Sequence, residues 1–327
     1  MIDAFLDGAR MLGRTPRTIS PGFVPGVDGV HQHWAARRVS RQTRRAASVW
    51  VVAAVAAYGA GAVRSRSPYA CWIATSLADE WPARLNSLGS ARRFAHTVNA
   101  PLLRKLERKV LANATSVYGI SPASSDALAR TADRTDVGVL PIPVDLVHFA
   151  PEPDERWLTR LETPTVTFVG RADDPRKNVD LLLDAWPSIL EAFPAAQLAL
   201  VGRPPRRSVP RGVAIRGEVV DVAEELRSTT LLVVPSLQEG FSIAAAEALA
   251  CGVPVVSTPS GGPEHLLKLS GGGRLLDGFE PHALVAAVID LLEHPSELIA
   301  MRHKGRAYVE VEHSPETFRQ RLDRLLN

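Results

Sequence analysis

The chain has 327 residues, 46% hydrophobic and 22% charged, a globular composition that excludes disorder as the dominant state. Its two cysteines, Cys71 and Cys251, sit among apolar neighbours, which excludes a disulfide framework or a cysteine zinc site and fits a reducing compartment. The net charge of +3 conceals an asymmetry: residues 1–150 carry 19 Lys+Arg against 10 Asp+Glu, and residues 151–327 carry 19 against 25. A basic front half suits an anionic partner, either a membrane surface or a charged acceptor, and it equally describes a solvated Arg-rich face. The opening MIDAFLDGAR is acidic where an export signal is basic, so a cytoplasmic protein is expected.

A first predicted helix closes at Arg10–Gly13, and Arg17–Ser20 reads as a strand. Ala46–Val63 then runs 18 residues without a charge, the lower limit for a membrane span at roughly 18. Its Ala and Gly content gains little in lipid, and Arg44, Arg45, Arg64 and Arg66 flank both ends, so it is read as a helix packed on a sheet. A strand follows at Tyr69–Thr75, then a charged helix around Ala100–Ala114, a strand at Ser116–Ser121, a helix at Pro122–Arg130 and a strand at Val137–Ile142. Such alternation predicts βαβ units and a parallel sheet. Ala150–Thr163, with two prolines and four acidic residues, reads as an interdomain linker.

The back half alternates more clearly. Strands are predicted at Thr165–Val169, Gln197–Val201, Val213–Arg216, Thr230–Pro235 and Val253–Thr258. Helices are predicted at Asp180–Phe193, Asp221–Ser228, Ser242–Ala250 and Pro281–Glu293. This is a second doubly wound sheet, and ligands of such sheets bind where strands end.

Three strand ends carry unusual residues. In Val169-Gly-Arg-Ala-Asp-Asp-Pro-Arg-Lys-Asn178, Gly170 permits a sharp turn, and Arg171, Arg176 and Lys177 gather at the start of the next helix. Cations there make an anion site, most naturally for a diphosphate, unless Asp173 and Asp174 neutralise them as a solvated loop. In Pro235-Ser-Leu-Gln-Glu-Gly-Phe-Ser-Ile-Ala-Ala-Ala-Glu247, Glu239 lies in a loop and Glu247 inside an Ala-rich helix. A carboxylate buried in such a helix needs a hydrogen-bond partner, either a diol such as a ribose or a nearby Arg. The third strand end, Ser260-Gly-Gly-Pro-Glu264, is a glycine-rich turn.

Gly170-Arg171…Lys177, Pro235-Ser236, Glu239-Gly-Phe-Ser, Glu247 and Gly261-Gly-Pro-Glu264 together resemble the retaining glycosyltransferases of family four. The likeness covers residues 163–312 and continues more weakly through Glu107-Arg-Lys-Val-Leu, Ile120-Ser121 and Leu140-Pro-Ile-Pro-Val-Asp145. It implies an α/β GT-B fold, in which two Rossmann-like doubly wound domains with parallel sheets face a cleft. The implied divisions are an acceptor-side domain at 1–150, a linker at 151–163 and a nucleotide-sugar domain at 164–312, with a C-terminal helix at 313–327 packing back towards the first domain.

By the same resemblance, Arg171 and Lys177 neutralise the donor diphosphate, and Glu239 with the amides of Gly240, Phe241 and Ser242 holds the transferred sugar. Glu247 binds the ribose, Arg216, Gly217 and Val219 belong to the stretch beside the base, and Gly170, Arg176 and Ser236 complete the donor set. The family spaces its Arg and Lys one residue closer, so Arg176 or Lys177 can be the second cation. Asn178 stands where a Gly is common, and the front domain is expected to lack its first strand. The family's front-domain catalytic His has no assigned counterpart: Thr75–Glu80 ends a strand at the cleft, while His31 and His33 lie in a loop.

The implied activity is retaining transfer of a hexose from a nucleoside diphosphate sugar, of UDP or GDP type, to the hydroxyl of a sugar, lipid-linked or small-molecule acceptor. No cofactor is implied, and no metal, since the chain contains no Asp-x-Asp pair. The alternative is a degenerate nucleotide-sugar-binding or scaffold protein without turnover. Arg37, Arg38, Arg41, Arg44 and Arg45 add peripheral contact with an anionic membrane at its inner face. The basic half shows no nucleic-acid motif, so no nucleic-acid partner is expected.

Overall fold

A computed structural model describes residues 1–16, 48–65, 67–85 and 90–327. These residues form two units, Met1–Ile142 together with Glu316–Asn327, and Pro143–Pro315. The predicted strand at Arg17–Ser20, His31, His33 and the arginines 37–45 lie outside the described residues.

The first unit carries four parallel strands, β1 (Trp50–Ala53), β2 (Ala70–Ile73), β3 (Ser116–Gly119) and β4 (Val137–Val139), ordered β1-β2-β3-β4. Alternation along β2 sends Cys71 and Ile73 to one face, where they pack with Val110, Leu111 and Leu128 from the helices Ser90–Asn113 and Pro122–Ala132. Trp72 points the other way, its ring centroid 6.0 Å from Phe5 and 5.4 Å from Phe318. The helices Ile2–Met11 and Pro315–Leu326 therefore cover that face together.

The reading of Ala46–Val63 as one helix is corrected. Trp50–Ala53 is a strand in register with β2, Val51 opposite Cys71, and only Ala56–Gly59 and Ala60–Ser65 are helical. Short apolar runs have no period that separates strand from helix, and the Trp-Val-Val core of this one favours strand. Among the described residues no helix is long and apolar enough to cross a membrane.

The second unit holds six parallel strands: β5 (Thr165–Val169), β6 (Gln197–Val201), β7 (Val213–Gly217), β8 (Leu231–Val234), β9 (Val255–Ser257) and β10 (Gly273–Leu275). Their order is β10-β9-β8-β5-β6-β7. The chain builds outward from β5 through β6 to β7, then returns to lay β8 on the opposite side of β5. The loops leaving β5 and β8 diverge there and open a crevice at the carboxyl edge. The predicted glycine-rich turn at 261–264 starts the helix Gly262–Ser270, its Pro263 in the first turn where a missing N–H costs nothing. The stretch expected as a linker holds the helix Asp154–Leu158, and its Trp157 is fully buried in the core of the second unit.

Strand ends are packed closely at this edge. Gly202, just past β6, has φ +110°, and a Cβ there would fall well inside contact distance of the Gly170 carbonyl. Both the conformation and the approach demand glycine. Gly202→Ala is expected to cost about 2–3 kcal/mol, the upper end of ordinary substitutions. A chemical-denaturation midpoint unchanged from wild type would contradict this.

Candidate active site

The loop leaving β5 is shaped by two left-handed residues. Gly170 has φ +151°, and Asn178 (φ 48°, ψ 40°) begins the helix Val179–Ala192. Asparagine is among the few residues that accept this conformation without glycine's freedom, which accounts for Asn178 at a position where glycine is common. Between them Asp174 clamps both arginines. Its Oδ2 accepts from Arg171 Nη2 at 2.8 Å and from Arg176 Nη2 at 2.8 Å, and its Oδ1 accepts from the Arg176 amide at 3.1 Å. Burial raises the Asp174 pKa, but the bonds and charges of Arg176 and Arg171 outweigh it and hold the carboxyl below its usual range. Arg171 nevertheless leaves half of its side chain in solvent.

Lys177 goes elsewhere. Its Nζ donates to Glu239 Oε1 at 2.5 Å, and the same oxygen accepts from Ser236 Oγ at 2.8 Å. This pair spans the crevice between the β5 and β8 loops. It lies beside a small pocket whose walls include Val169, Lys177, Ser236, Glu239 and Ser242. The two loops are also bonded through their backbones, since the Leu237 amide donates to the Arg176 carbonyl at 2.7 Å. Of the two candidate second cations, Lys177 faces the crevice and Arg176 is held by Asp174.

The β9 loop closes the other side. The Glu239 amide donates to the Ser260 carbonyl at 2.8 Å, and the Gly262 amide donates to the Glu239 carbonyl at 3.0 Å. A Cβ on Gly262 would collide with the Phe241 backbone, so the second glycine of the pair is the one that packing requires. Ser260 Oγ is buried and has no partner among the described residues. Ser242, the residue before the helix Ile243–Ala250, has φ +69°, a strained conformation of the kind that collects at ligand sites. Phe241 is buried against the His313 ring, 5.1 Å between centroids.

Glu247 lies one turn further along that helix, half-buried. Burial alone pushes its pKa up to about 7. No hydrogen bond or ion pair reaches its carboxylate among the described residues, so no described Arg is its partner. Arg216 and Val219 belong to the far end of the edge: Gly217 takes φ +74° and accepts from the Gly202 amide at 2.7 Å, while the exposed Arg216 lies 4.0 Å from Glu225. The structure thus gathers Gly170, Arg171, Lys177, Ser236, Glu239 and Ser242 around the crevice, with Glu247 on the helix that follows Ser242. Arg216 stands apart on β7. Sequence reasoning did not find the packing role of His313 under Phe241, because a lone histidine after a long helix carries no motif.

Residues 163–294 match the family described as Glycosyl transferases group 1. The chain is 33% identical over 212 residues to a GDP-mannose-dependent monoacylated α-(1-6)-phosphatidylinositol monomannoside mannosyltransferase of Corynebacterium glutamicum, covering 57% of this chain and 55% of that protein. The chain spans about half the length of the curated relatives it matches. Among solved structures, a sucrose-phosphate synthase of Thermosynechococcus elongatus superposes with a TM-score of 0.75 at 20% identity, covering 93% of this chain and 79% of that one. HepE of Anabaena in complex with UDP-glucose superposes with a TM-score of 0.69 at 19% identity, covering 89% and 81%. At these identities the likeness is one of fold: two α/β domains with wholly parallel sheets, the GT-B type expected from the motifs.

The half-buried, unpartnered Glu247 has a consequence for stability. Its folded-state pKa of about 7 exceeds an ordinary carboxyl's, so the native state holds the proton more tightly. Its contribution then falls as pH rises from about 4.3 through 7, where the unfolded carboxyl ionises first. Glu247→Gln is expected to melt close to wild type at pH 4.5 and above it at pH 8. Parallel melting curves at both pH values would show that the carboxyl is not desolvated.

Proposed function

We propose that this chain, whose residues 163–294 match the family described as Glycosyl transferases group 1, transfers a hexose, with retention, from a nucleoside diphosphate sugar to an acceptor hydroxyl. The observation that carries this reading is the Lys177–Glu239 pair across the sheet's reversal point, with Glu247, unpartnered among the described residues, on the helix after it. In this reading Arg171 and Lys177 stabilise the charge that develops on the departing diphosphate. Glu239 and the amides of residues 240–242 hold the sugar hydroxyls, and Glu247 accepts from the ribose. A diphosphate satisfies Lys177 in place of Glu239, which frees that carboxylate for the sugar. The relative from Corynebacterium is named for GDP-mannose and an inositol lipid, which makes GDP-mannose and inositol-containing acceptors the first substrates to try.

The test is transfer from GDP- and UDP-hexoses to inositol and lipid-linked acceptors, with the product's anomeric configuration read by proton NMR. Arg171→Ala and Lys177→Ala are expected to lower the rate by about 10²–10³, the range for losing one charge-stabilising donor. Arg176→Ala should stay within about tenfold, because its guanidinium is spent on Asp174. Activity should persist in EDTA. Nucleotide binding without turnover on any acceptor would favour a binding protein; inversion at the anomeric carbon or a divalent-ion requirement would overturn the mechanism.

Peripheral membrane contact is part of the same proposal. On the helix Ser90–Asn113, Leu103, Glu107 and Val110 face inward, while Val98 and Leu102 are exposed beside Arg104, Lys105, Arg108 and Lys109. Exposed apolar residues flanked by cations suit an anionic bilayer, at about 1 kcal/mol for each Lys or Arg near the surface. Flotation with anionic vesicles should succeed in low salt and weaken steeply in high salt, because screening shortens to about 3 Å at 1 M. Replacing Lys105 and Lys109 by Glu should abolish it. No flotation of the wild type at low salt would remove the membrane from the proposal.

A further inference from the structure

Arg302 and Arg306 lie one turn apart on the helix Pro295–Glu312, and each joins two separate pieces of the second unit. Arg306 Nη1 donates to the Ala250 carbonyl at 2.7 Å and to the Phe149 carbonyl at 2.8 Å, and its Nε pairs with Glu310 at 2.6 Å. Arg302, only 3% exposed, donates to the Gly252 carbonyl at 2.9 Å, to Asp154 at 2.9 Å and to the Glu152 carbonyl, and it lies over the Trp157 ring. Ala250 and Gly252 end the helix that carries Glu247. Phe149, Glu152 and Asp154 belong to the stretch of chain that enters the second unit from the first. The same stretch is bonded on its other side, where Arg227 Nη1 donates to the His148 carbonyl at 3.1 Å and the His148 ring lies 3.1 Å from Asp221.

The helix Ile243–Ala250 has only eight residues, so its last carbonyls lack intrahelical partners over a large part of its length. The carbonyls of Glu247, Ala248 and Leu249 accept from the amides of Cys251, Val253 and Gly252, and that of Ala250 accepts from Arg306, whose guanidinium also complements the negative end of the helix dipole. Glu247 is three residues before Ala250, within about 5 Å along the axis at 1.5 Å per residue. A hydrogen-bonding carboxylate tolerates little displacement before a bond is lost. We propose that Arg306 is a positioning residue for nucleotide recognition. By tying the end of the Glu247 helix to the entering segment at Phe149, it sets the carboxylate where it can receive the two ribose hydroxyls. This inference rests on the assignment of Glu247 to the ribose.

The experiment compares binding of GDP with binding of 2′,3′-dideoxy-GDP by calorimetry, with the matching uridine pair in parallel and the more tightly bound base used. Wild type should prefer the ribose nucleotide by about tenfold or more, the cost of a lost charged hydrogen bond. Arg306→Ala should bind the dideoxy nucleotide as wild type does, within about twofold, and prefer the ribose form by no more than about threefold. Glu247→Ala should behave the same way, and combining the two changes should add nothing. Arg306→Lys, able to reach one carbonyl at a time, should fall between wild type and Arg306→Ala. It also replaces the alanine variant if a melting curve shows that variant unfolded. A wild-type preference in the folded Arg306 variant overturns the proposal while leaving Glu247 in place, and an equal loss for both nucleotides overturns it as general disruption. If wild type shows no preference, or binds neither base, the ribose assignment itself falls and this inference with it.

Discussion

The sheet of the second unit reverses its direction of growth between β5 and β8, and the positions of Lys177, Ser236 and Glu239 follow from that reversal. Parallel strands put all their carboxyl ends on one edge, and a reversal makes two adjacent loops part company there. The chain uses the gap by sending charged residues into it from both sides. Lys177 arrives from the β5 loop and Glu239 from the β8 loop, and their 2.5 Å bond spans the opening. Glycines permit the close approach around it: Gly202 beside the Gly170 carbonyl, Gly262 beside the Phe241 backbone. A side chain at either would push the loops apart and move the charges with them.

The electrostatics of the crevice follow one scheme. Three cations, Arg171, Arg176 and Lys177, are matched within the protein by two carboxylates, Asp174 and Glu239. Such matching keeps like charges from spreading a loop that packs against its neighbours. It also grades the cations by availability. Arg176 is bound at three points by Asp174 and is a structural residue of the turn. Arg171 shares Asp174 but is half in solvent, where a pair is weak and readily exchanged. Lys177 is held by Glu239, the carboxylate proposed for the sugar hydroxyls. In the proposed reading an incoming diphosphate exchanges partners and does not meet bare cations, because the matched charges already hold the loops together.

Most of the second unit was legible because its strands are short apolar runs closed by glycine or proline, and because parallel topology forces function to strand ends. Arg171, Lys177, Glu239 and Glu247 stood out by type and strand-end position, and their expected roles came from the family resemblance. Three features were not legible. Trp50–Ala53 was hidden in an uncharged run whose many alanines read as helix although its Trp-Val-Val core favours strand. The helix Gly262–Ser270 was hidden because two glycines and a proline read as a turn until proline is seen to sit in its first turn. The work of Arg302 and Arg306 was hidden because their partners are backbone carbonyls about 50 and 150 residues away, and no sequence pattern records a carbonyl.

Two carboxyls show why perturbed acidity does not identify a site by itself. Glu107 and Glu247 are each pushed up to about 7, and for both the leading cause is burial. Glu107, however, is fully buried in the first unit and satisfied: both its oxygens accept from the Leu77 amide at 3.1 Å, and the Ala56 amide adds a further bond. Those amides open the chain segments after β1 and β2, so this carboxyl is consumed in holding two strand ends together, with Glu80 and Asp79 opposing its ionisation. Glu247 is pushed up as far and has no such partners among the described residues. A native structure that leaves a desolvated carboxylate without hydrogen bonds sacrifices stability that a glutamine or alanine would retain. Two hydroxyls of one ligand, proposed above for this carboxylate, would recover that sacrifice among the small alanines of its short helix.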